Sequence, residues 1–148
     1  MSVKVTGVDS TMASLMLKVN NISSAIDRSI RQGALAVESE AIHSIQSGSK
    51  TGATYKSGKS KTHQASRAGE APATDTGHLV SNIQAVKNMS SDGSWLVGSS
   101  LDYAKFLEFG TTMGGGHISP RPWLIPALES NRSWIDRNIQ KAIRDQLR

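Results

Sequence analysis

Apolar residues recur at steps of three and four along the first third of the chain, and this pattern constrains the fold more than any other feature of the sequence. The spacing predicts one amphipathic helix over residues 10–46, capped by Asp9, Ser10 or Thr11. An unbroken helix of this length measures about 55 Å, whereas a compact chain of this size has a radius of gyration of about 15 Å. The stripe consists of Met12, Leu15, Val19, Ile22, Ile26, Ile30, Ala34, Val37, Ala41 and Ile45.

The mismatch between this helix and a compact domain leaves two alternatives. The helix breaks near Asn20 and Asn21 or at Gly33, because these residues are poor helix formers. Otherwise the helix projects from its own domain and buries its stripe against another copy of the chain. We favour projection or oligomerisation.

Composition narrows the class of protein. The chain has 148 residues, of which 37% are hydrophobic and 20% charged, and we expect one domain over residues 1–148. The absence of cysteine excludes a disulfide framework, a thiol nucleophile and a thiolate zinc site, and is typical of assembly in a reducing cytoplasm. Residues 1–20 lack the pattern of a signal peptide, and no apolar run is long enough to span a bilayer. We therefore expect a soluble protein with no membrane partner.

Residues 47–73 differ from the rest of the chain, because Ser, Gly, Thr, Lys and Ala dominate and Tyr55 is the only large apolar side chain. Such residues cannot build a core, so we interpret the segment as an extended basic arm or loop. Most of the net charge of +5 lies here, and the arm can contact DNA or a neighbouring subunit. The residues expected to make that contact are Lys50, Lys56, Lys59, Lys61 and Arg67.

The remaining pattern predicts an α+β fold. Alternating residues indicate a small antiparallel sheet from residues 3–8, 80–88 and 94–100, packed against the long N-terminal helix and a C-terminal helix. Asp75 and Thr76 are candidate caps of a helical turn. Ser99 or Ser100 is expected to cap a helix of about nine residues that ends before Gly110.

A search for catalytic motifs finds little. Gly58-Lys59-Ser60 is similar to the end of a phosphate-binding loop, but five residues separate Gly52 from Gly58 where the motif requires four, and no apolar strand precedes it. No serine is paired with a recognisable base and acid. The cluster that a metal site would be built from is His63, Glu70, Asp75 and His78, and a small hydrolase would use His63, Glu70 and Asp75. We expect no enzymatic activity, no cofactor and no metal.

Glu108 is the most informative charged residue. It falls in the last turn of the predicted short helix, where the helix dipole disfavours a negative charge, so a cation or backbone donors must compensate it. We predict an ion pair or bidentate contact with Arg121, which lies between Pro120 and Pro122. That contact would connect the short helix to the start of the final helix.

Several apolar residues around Glu108 are expected to pack the core or a subunit contact, and these are Tyr103, Phe106, Leu107 and Phe109. Gly110 is expected to supply a backbone conformation that is costly for other residues. Trp123 and Leu124 are expected to anchor the final helix, which accommodates Pro126 only in or before its first turn.

An ordered set of motifs from Gly48 to Leu128 resembles the tail-component family of lambdoid and other long-tailed phages, variously called neck, head-tail joining, minor tail or tail-completion proteins. Asn82, Trp123 and the lengthened loop at Gly114-Gly115-Gly116 depart from the usual family pattern. The matching motifs are His63-Gln64-Ala65-Ser66, Gly69-Glu70-Ala71-Pro72-Ala73, Asp75-Thr76-Gly77-His78-Leu79, Tyr103-Ala104, Leu107-Glu108-Phe109-Gly110-Thr111, Arg121-Pro122-Trp123-Leu124 and Pro126-Ala127.

The resemblance implies a non-enzymatic virion protein that forms part of a ring at the head-tail junction. Its expected partners are copies of itself, head-closure or connector proteins, and tail terminator or tail tube proteins. The alternative is an accessory protein that binds DNA through the basic arm without sequence specificity. Residues expected to serve the structure or a subunit interface are Tyr103, Phe106, Leu107, Glu108, Phe109, Gly110, Thr111, Arg121, Pro122 and Trp123.

Overall fold

A single long helix, α1 (Val8–Ser47), forms the axis of the structure. The computed structural model describes residues 7–57, 61–91, 93–112 and 117–148. At about 1.5 Å per residue, α1 is about 60 Å long, and it continues without interruption through Asn20, Asn21 and Gly33. The alternative of a broken helix is therefore wrong, and the long helix is continuous.

The N-terminus of α1 is capped by a glycine and not by the predicted polar side chains. Gly7 is the N-cap with φ of 90°, and Ser10 and Thr11 lie inside the first turn. Their hydroxyls donate back to the Gly7 carbonyl oxygen at 2.9 Å. The strand predicted over residues 3–8 lies outside the described residues except for Gly7, which is the N-cap, and Val8, which is already helical.

The C-terminal helix, α4 (Leu124–Leu147), packs antiparallel along α1. The start of α4 lies beside Ala41 and Ile45 in the core, whereas Ile135 meets Gly33. A Cβ atom on Gly33 would lie 2.9 Å from Cγ1 of Ile135, so this glycine permits the close approach of the two helices. Gly33 thus serves packing where the sequence suggested a break.

The predicted hairpin is present and covers another side of α1. Its strands are β3 (Ile83–Lys87) and β4 (Trp95–Ser99), paired antiparallel with Ile83 opposite Ser99 and Lys87 opposite Trp95. Glu38 on α1 accepts a hydrogen bond from the Ala85 N–H at 3.2 Å. Lys87 and Asp27 approach to 3.5 Å nearer the turn, so the hairpin runs back along α1 toward its N-terminus.

The segment predicted as an extended arm contains a second hairpin, formed by β1 (Thr54–Ser57) and β2 (Lys61–Gln64). The Gly52 N–H donates to Ala65 at 2.9 Å, and the Gly69 N–H donates to Pro120 at 2.8 Å. Ser66 is buried. The described part of the predicted arm is therefore ordered as a hairpin, because backbone pairing supplies the order that apolar side chains do not.

Two short helices complete the fold, α2 (His78–Ser81) and α3 (Ala104–Phe109). Both begin without a side-chain cap, at Gly77 and Tyr103 respectively. The predicted caps Ser99 and Ser100 instead donate their hydroxyls to the side-chain oxygen of Asn82, at 2.9 and 3.0 Å. The same side-chain oxygen of Asn82 also accepts the backbone N–H of Ser100, so Asn82 holds both serines away from a capping position.

The α+β prediction is confirmed, with two long helices and two two-stranded antiparallel sheets among the described elements. None of the described helices is long and apolar enough to cross a membrane. The core is small, and its buried residues are Val37, Ala41, Ile45, Leu79, Ile83, Ala104, Trp123 and Ala127.

Candidate functional site

The junction between α3 and α4 brings together most of the predicted site residues, and Glu108 is its centre. This carboxylate is buried. One oxygen accepts the backbone N–H groups of Trp123 and Leu124 at 2.8 and 3.0 Å, and the other accepts that of Ile125 at 2.9 Å. Glu108 therefore caps the N-terminus of α4, where free N–H groups and the helix dipole both favour a negative charge.

The predicted ion pair between Glu108 and Arg121 is wrong, although the expected link between the two helices exists. Both oxygens of Glu108 are occupied by backbone N–H groups, so the guanidinium is not needed to compensate the charge. Arg121 contributes through its main chain, whose N–H donates to Leu107 at 2.6 Å. Its side chain lines a pocket with Tyr55 and His63.

Gly110 ends α3 as predicted. Its φ is 73°, and its N–H donates to Phe106 at 2.9 Å. An added Cβ would meet the Ile118 carbonyl oxygen at 2.6 Å, so any other residue would suffer both backbone strain and a clash. Thr111 pairs with Ile118 in a β-bridge that closes the following loop.

The apolar residues predicted to pack around this junction divide into two groups. Trp123 is buried, and Leu107 and Leu124 pack against the core, which confirms the expectation that Trp123 and Leu124 anchor the final helix. Phe106 and Pro122 are half-buried. Tyr103 and Phe109 are exposed, Phe109 at 69%. A core role is wrong for these two aromatic rings, and the alternative of a subunit contact stays a prediction.

The described basic residues of the predicted arm differ in their surroundings. The Lys50 ammonium donates to the Ser44 carbonyl oxygen at 3.0 Å, at the end of α1. Burial lowers the pKa of Lys50, and the charge of Glu70 partly raises it. Lys56 and Arg67 are exposed. Lys59 and the side chain of Lys61 lie outside the described residues. The alternative of a DNA-binding accessory protein receives no support from the described basic residues.

Glu70 ties the base of this hairpin together. Its carboxylate accepts the hydroxyl and the N–H of Thr51 and the N–H of Arg67. The Thr51 hydroxyl, the two N–H groups and the Lys50 charge lower the pKa of Glu70 from 4.5 to about 2. Glu70 is therefore a structural carboxylate whose hydrogen bonds are made within its own loop.

The other residues of the predicted polar cluster are not brought together as a metal site. His63 packs edge-on against Tyr55, with ring centroids 5.1 Å apart. No three histidine, aspartate or glutamate side chains in the described ranges converge as metal ligands would.

A large apolar surface lies elsewhere, on residues 8–21, which we call the free segment of α1. Every residue of the free segment is exposed. Because α4 runs antiparallel to α1 from the Gly33–Ile135 contact, its C-terminus reaches only to the level of about residue 21 of α1. The helix projects, as predicted. The large apolar residues of the free segment are Val8, Met12, Leu15, Met16, Leu17 and Val19, and they are 54–64% exposed.

The length of the predicted helix was the signal for this surface, but the stripe alone does not tell which end is covered. Residues 22–47, the covered segment of α1, carry the buried Val37, Ala41 and Ile45. Both segments have apolar residues at helical spacing. The two segments differ in burial because α4 and the β3–β4 hairpin pack on the covered segment and do not reach the free segment.

Comparison with known proteins agrees with the motif resemblance. The family described as "Bacteriophage HK97-gp10, putative tail-component" matches residues 13–110, about two thirds of the chain. The match spans most of α1, both hairpins and α3 including Glu108. No curated protein and no solved structure shows a significant match. The chain therefore belongs to the HK97-gp10-like family of phage tail components.

Proposed function

We propose that this chain is a structural subunit of the neck or tail-completion ring that joins head and tail in a long-tailed double-stranded DNA phage. Membership in a family of tail components supports a place in the virion. The position at the head-tail junction is the specific part of the proposal. It follows from the motif resemblance and is the part that the experiment below addresses.

The observation that carries the proposal is the free segment of α1. Six large apolar side chains lie exposed on about 20 Å of projecting helix. Five of them, all except Leu17, lie on one face of the helix, and an exposed apolar patch of this kind marks an interaction site. A subunit that is stabilised by its neighbours in a ring accounts for the small core and for the projecting helix together.

The proposed role requires no catalysis, no cofactor and no metal. Glu108 accepts hydrogen bonds from three backbone N–H groups, and Glu70 accepts them from two backbone N–H groups and the Thr51 hydroxyl. They therefore hold loops and helix ends in place, and are not free to transfer protons. The proposed partners are further copies of the chain, a head-closure or connector protein, and a tail terminator or tail tube protein.

The test is electron microscopy of lysates from a phage with an early nonsense mutation in this gene. We expect free filled heads beside free or aberrant tails, and few joined virions. Supplying the intact chain in trans should restore joined virions, which controls for effects on neighbouring genes. Normal numbers of infectious virions without the protein would contradict the proposal.

A further inference from the structure

Apolar residues of the free segment repeat at seven-residue intervals, and this repeat continues into the first residues of the covered segment. Val8, Leu15 and Ile22 repeat at seven-residue intervals, and Met12, Val19 and Ile26 do the same. These two sets correspond to the d and a positions of a heptad repeat, which is the pattern of helices that pack against other helices. The spacing therefore specifies the kind of partner, namely another helix.

The low charge of the free segment also limits the type of partner that it can bind. Asp9 and Lys18 are the only charged residues of the free segment. Depletion of charge is typical of the buried centre of an interface, and it allows two identical helices to approach without repulsion. A membrane surface fits poorly, because helices that bind anionic lipid carry several Lys or Arg on the polar face.

We propose that the free segment packs in parallel and in register against the free segment of a second copy of this chain. Met12 and Val19 then occupy a positions, and Val8 and Leu15 occupy d positions. The second copy continues the apolar seam at the level where α4 ends. Ile22 is half-buried at this border, so the intramolecular and intermolecular seams join there.

The parallel direction rests on the proposed function: if the free segments run along the axis of the ring, rotation about that axis leaves the free segments of neighbouring subunits pointing the same way. The register is also acceptable electrostatically. Lys18 stands at a g position, and in a parallel pair it faces the e position of the second copy, which is Ser23. No like charges meet across this seam.

The absence of cysteine allows a direct test with single-cysteine variants of the full chain. We compare Leu15→Cys, at a d position, with Leu17→Cys, which is exposed to a similar extent but points away from the seam. Both variants are purified, checked for unchanged helicity and treated with a short bis-maleimide. We expect roughly tenfold more cross-linked dimer for Leu15→Cys, because the seam raises the local concentration of the two thiols.

A second variant tests whether the link depends on the seam. Adding Val19→Asp to Leu15→Cys should abolish the cross-link, whereas adding Leu17→Asp should leave it unchanged. Equal cross-linking of Leu15→Cys and Leu17→Cys would overturn the inference. Cross-linking of Leu15→Cys only to Val19→Cys in a mixture would also overturn it, because that pattern indicates antiparallel helices.

The cross-linking experiment and the phage experiment test the helix pairing and the head-tail role separately, so either proposal can be refuted without the other. A Leu15 cross-link in a chain whose loss leaves virions normal would refute the head-tail role and retain the helix pairing. Unjoined heads and tails without any Leu15 cross-link would retain the role and refute the pairing, since another virion protein would then cover the free segment.

Discussion

The covered segment of α1 is enclosed by α4 and the β3–β4 hairpin, whereas the free segment is enclosed by nothing in the described part of the chain. Ile45 and Leu15 show the difference, at 1% and 55% exposure on the same helix. Both segments are amphipathic, so amphipathicity alone does not make a core. The stripe becomes a core only where other elements of the chain reach it.

The comparison also shows how stability is distributed. Isolated helices as short as the free segment are marginal in water. Most of the stability of a helix in a protein comes from packing of its apolar face. We therefore expect the covered segment to unfold with the whole domain. The free segment should fray locally unless another copy covers it.

The largest effect is expected from cavity formation in the covered segment. Ile45→Ala should lower the free energy of unfolding by about 2–5 kcal/mol, because it leaves a cavity in a fully buried site. Leu15→Ala, the matched change in the free segment, should alter it by less than about 0.5 kcal/mol in dilute protein. Urea unfolding of the two variants measures the contrast, and similar losses would show that the free segment is covered within the monomer.

Glu108→Gln should loosen the attachment of α4, the helix that packs on the covered segment of α1. The amide accepts fewer and weaker hydrogen bonds than the carboxylate from the three N–H groups of α4, and we expect a loss of about 1.5–3 kcal/mol in thermal unfolding. Arg121→Gln serves as the control and should cost less than about 1 kcal/mol, since its side chain makes no ion pair with Glu108. A larger loss of stability for Arg121→Gln than for Glu108→Gln would indicate that an ion pair between these residues connects the two helices.

Gly33→Ala should separate α1 and α4 slightly. Overpacking against Ile135 costs about 1–3 kcal/mol, and the better helix propensity of alanine offsets about 1 kcal/mol, so we expect a net loss of about 1 kcal/mol. In the double variant Gly33→Ala/Ile135→Ala the penalty of alanine at position 33 should disappear. A double-mutant cycle on unfolding free energies measures this coupling, and simple additivity would contradict a direct contact.

The smallest effect is local and depends on pH. Because the pKa of Glu70 is lowered from 4.5 to about 2 in the fold, its hydrogen bonds contribute fully above about pH 4.5 and are lost as the pH falls through about 2. The amides of Thr51 and Arg67, just beyond the covered segment, should shift in NMR spectra over this range. Glu70→Gln should abolish the shifts, and amides of the free segment should not follow the same titration.

Local patterns predicted most of the elements. The long helix, the β3–β4 hairpin, the stop at Gly110 and the position of Pro126 in the first turn of α4 are all present. Prediction failed where several polar groups share one acceptor. Ser99 and Ser100 bond to Asn82, which is distant in sequence, so their capping preference was not decisive.

The sequence by itself determined that α1 is long, amphipathic and too long for its own domain, and that Glu108 needs a compensating group. It did so because helical periodicity and the helix dipole depend on neighbouring residues. Only the tertiary structure decided which end of the stripe is buried and that α4, not Arg121, compensates Glu108. Those outcomes depend on which distant segments meet, and every helix N-terminus offers N–H donors that the sequence does not distinguish from a nearby guanidinium.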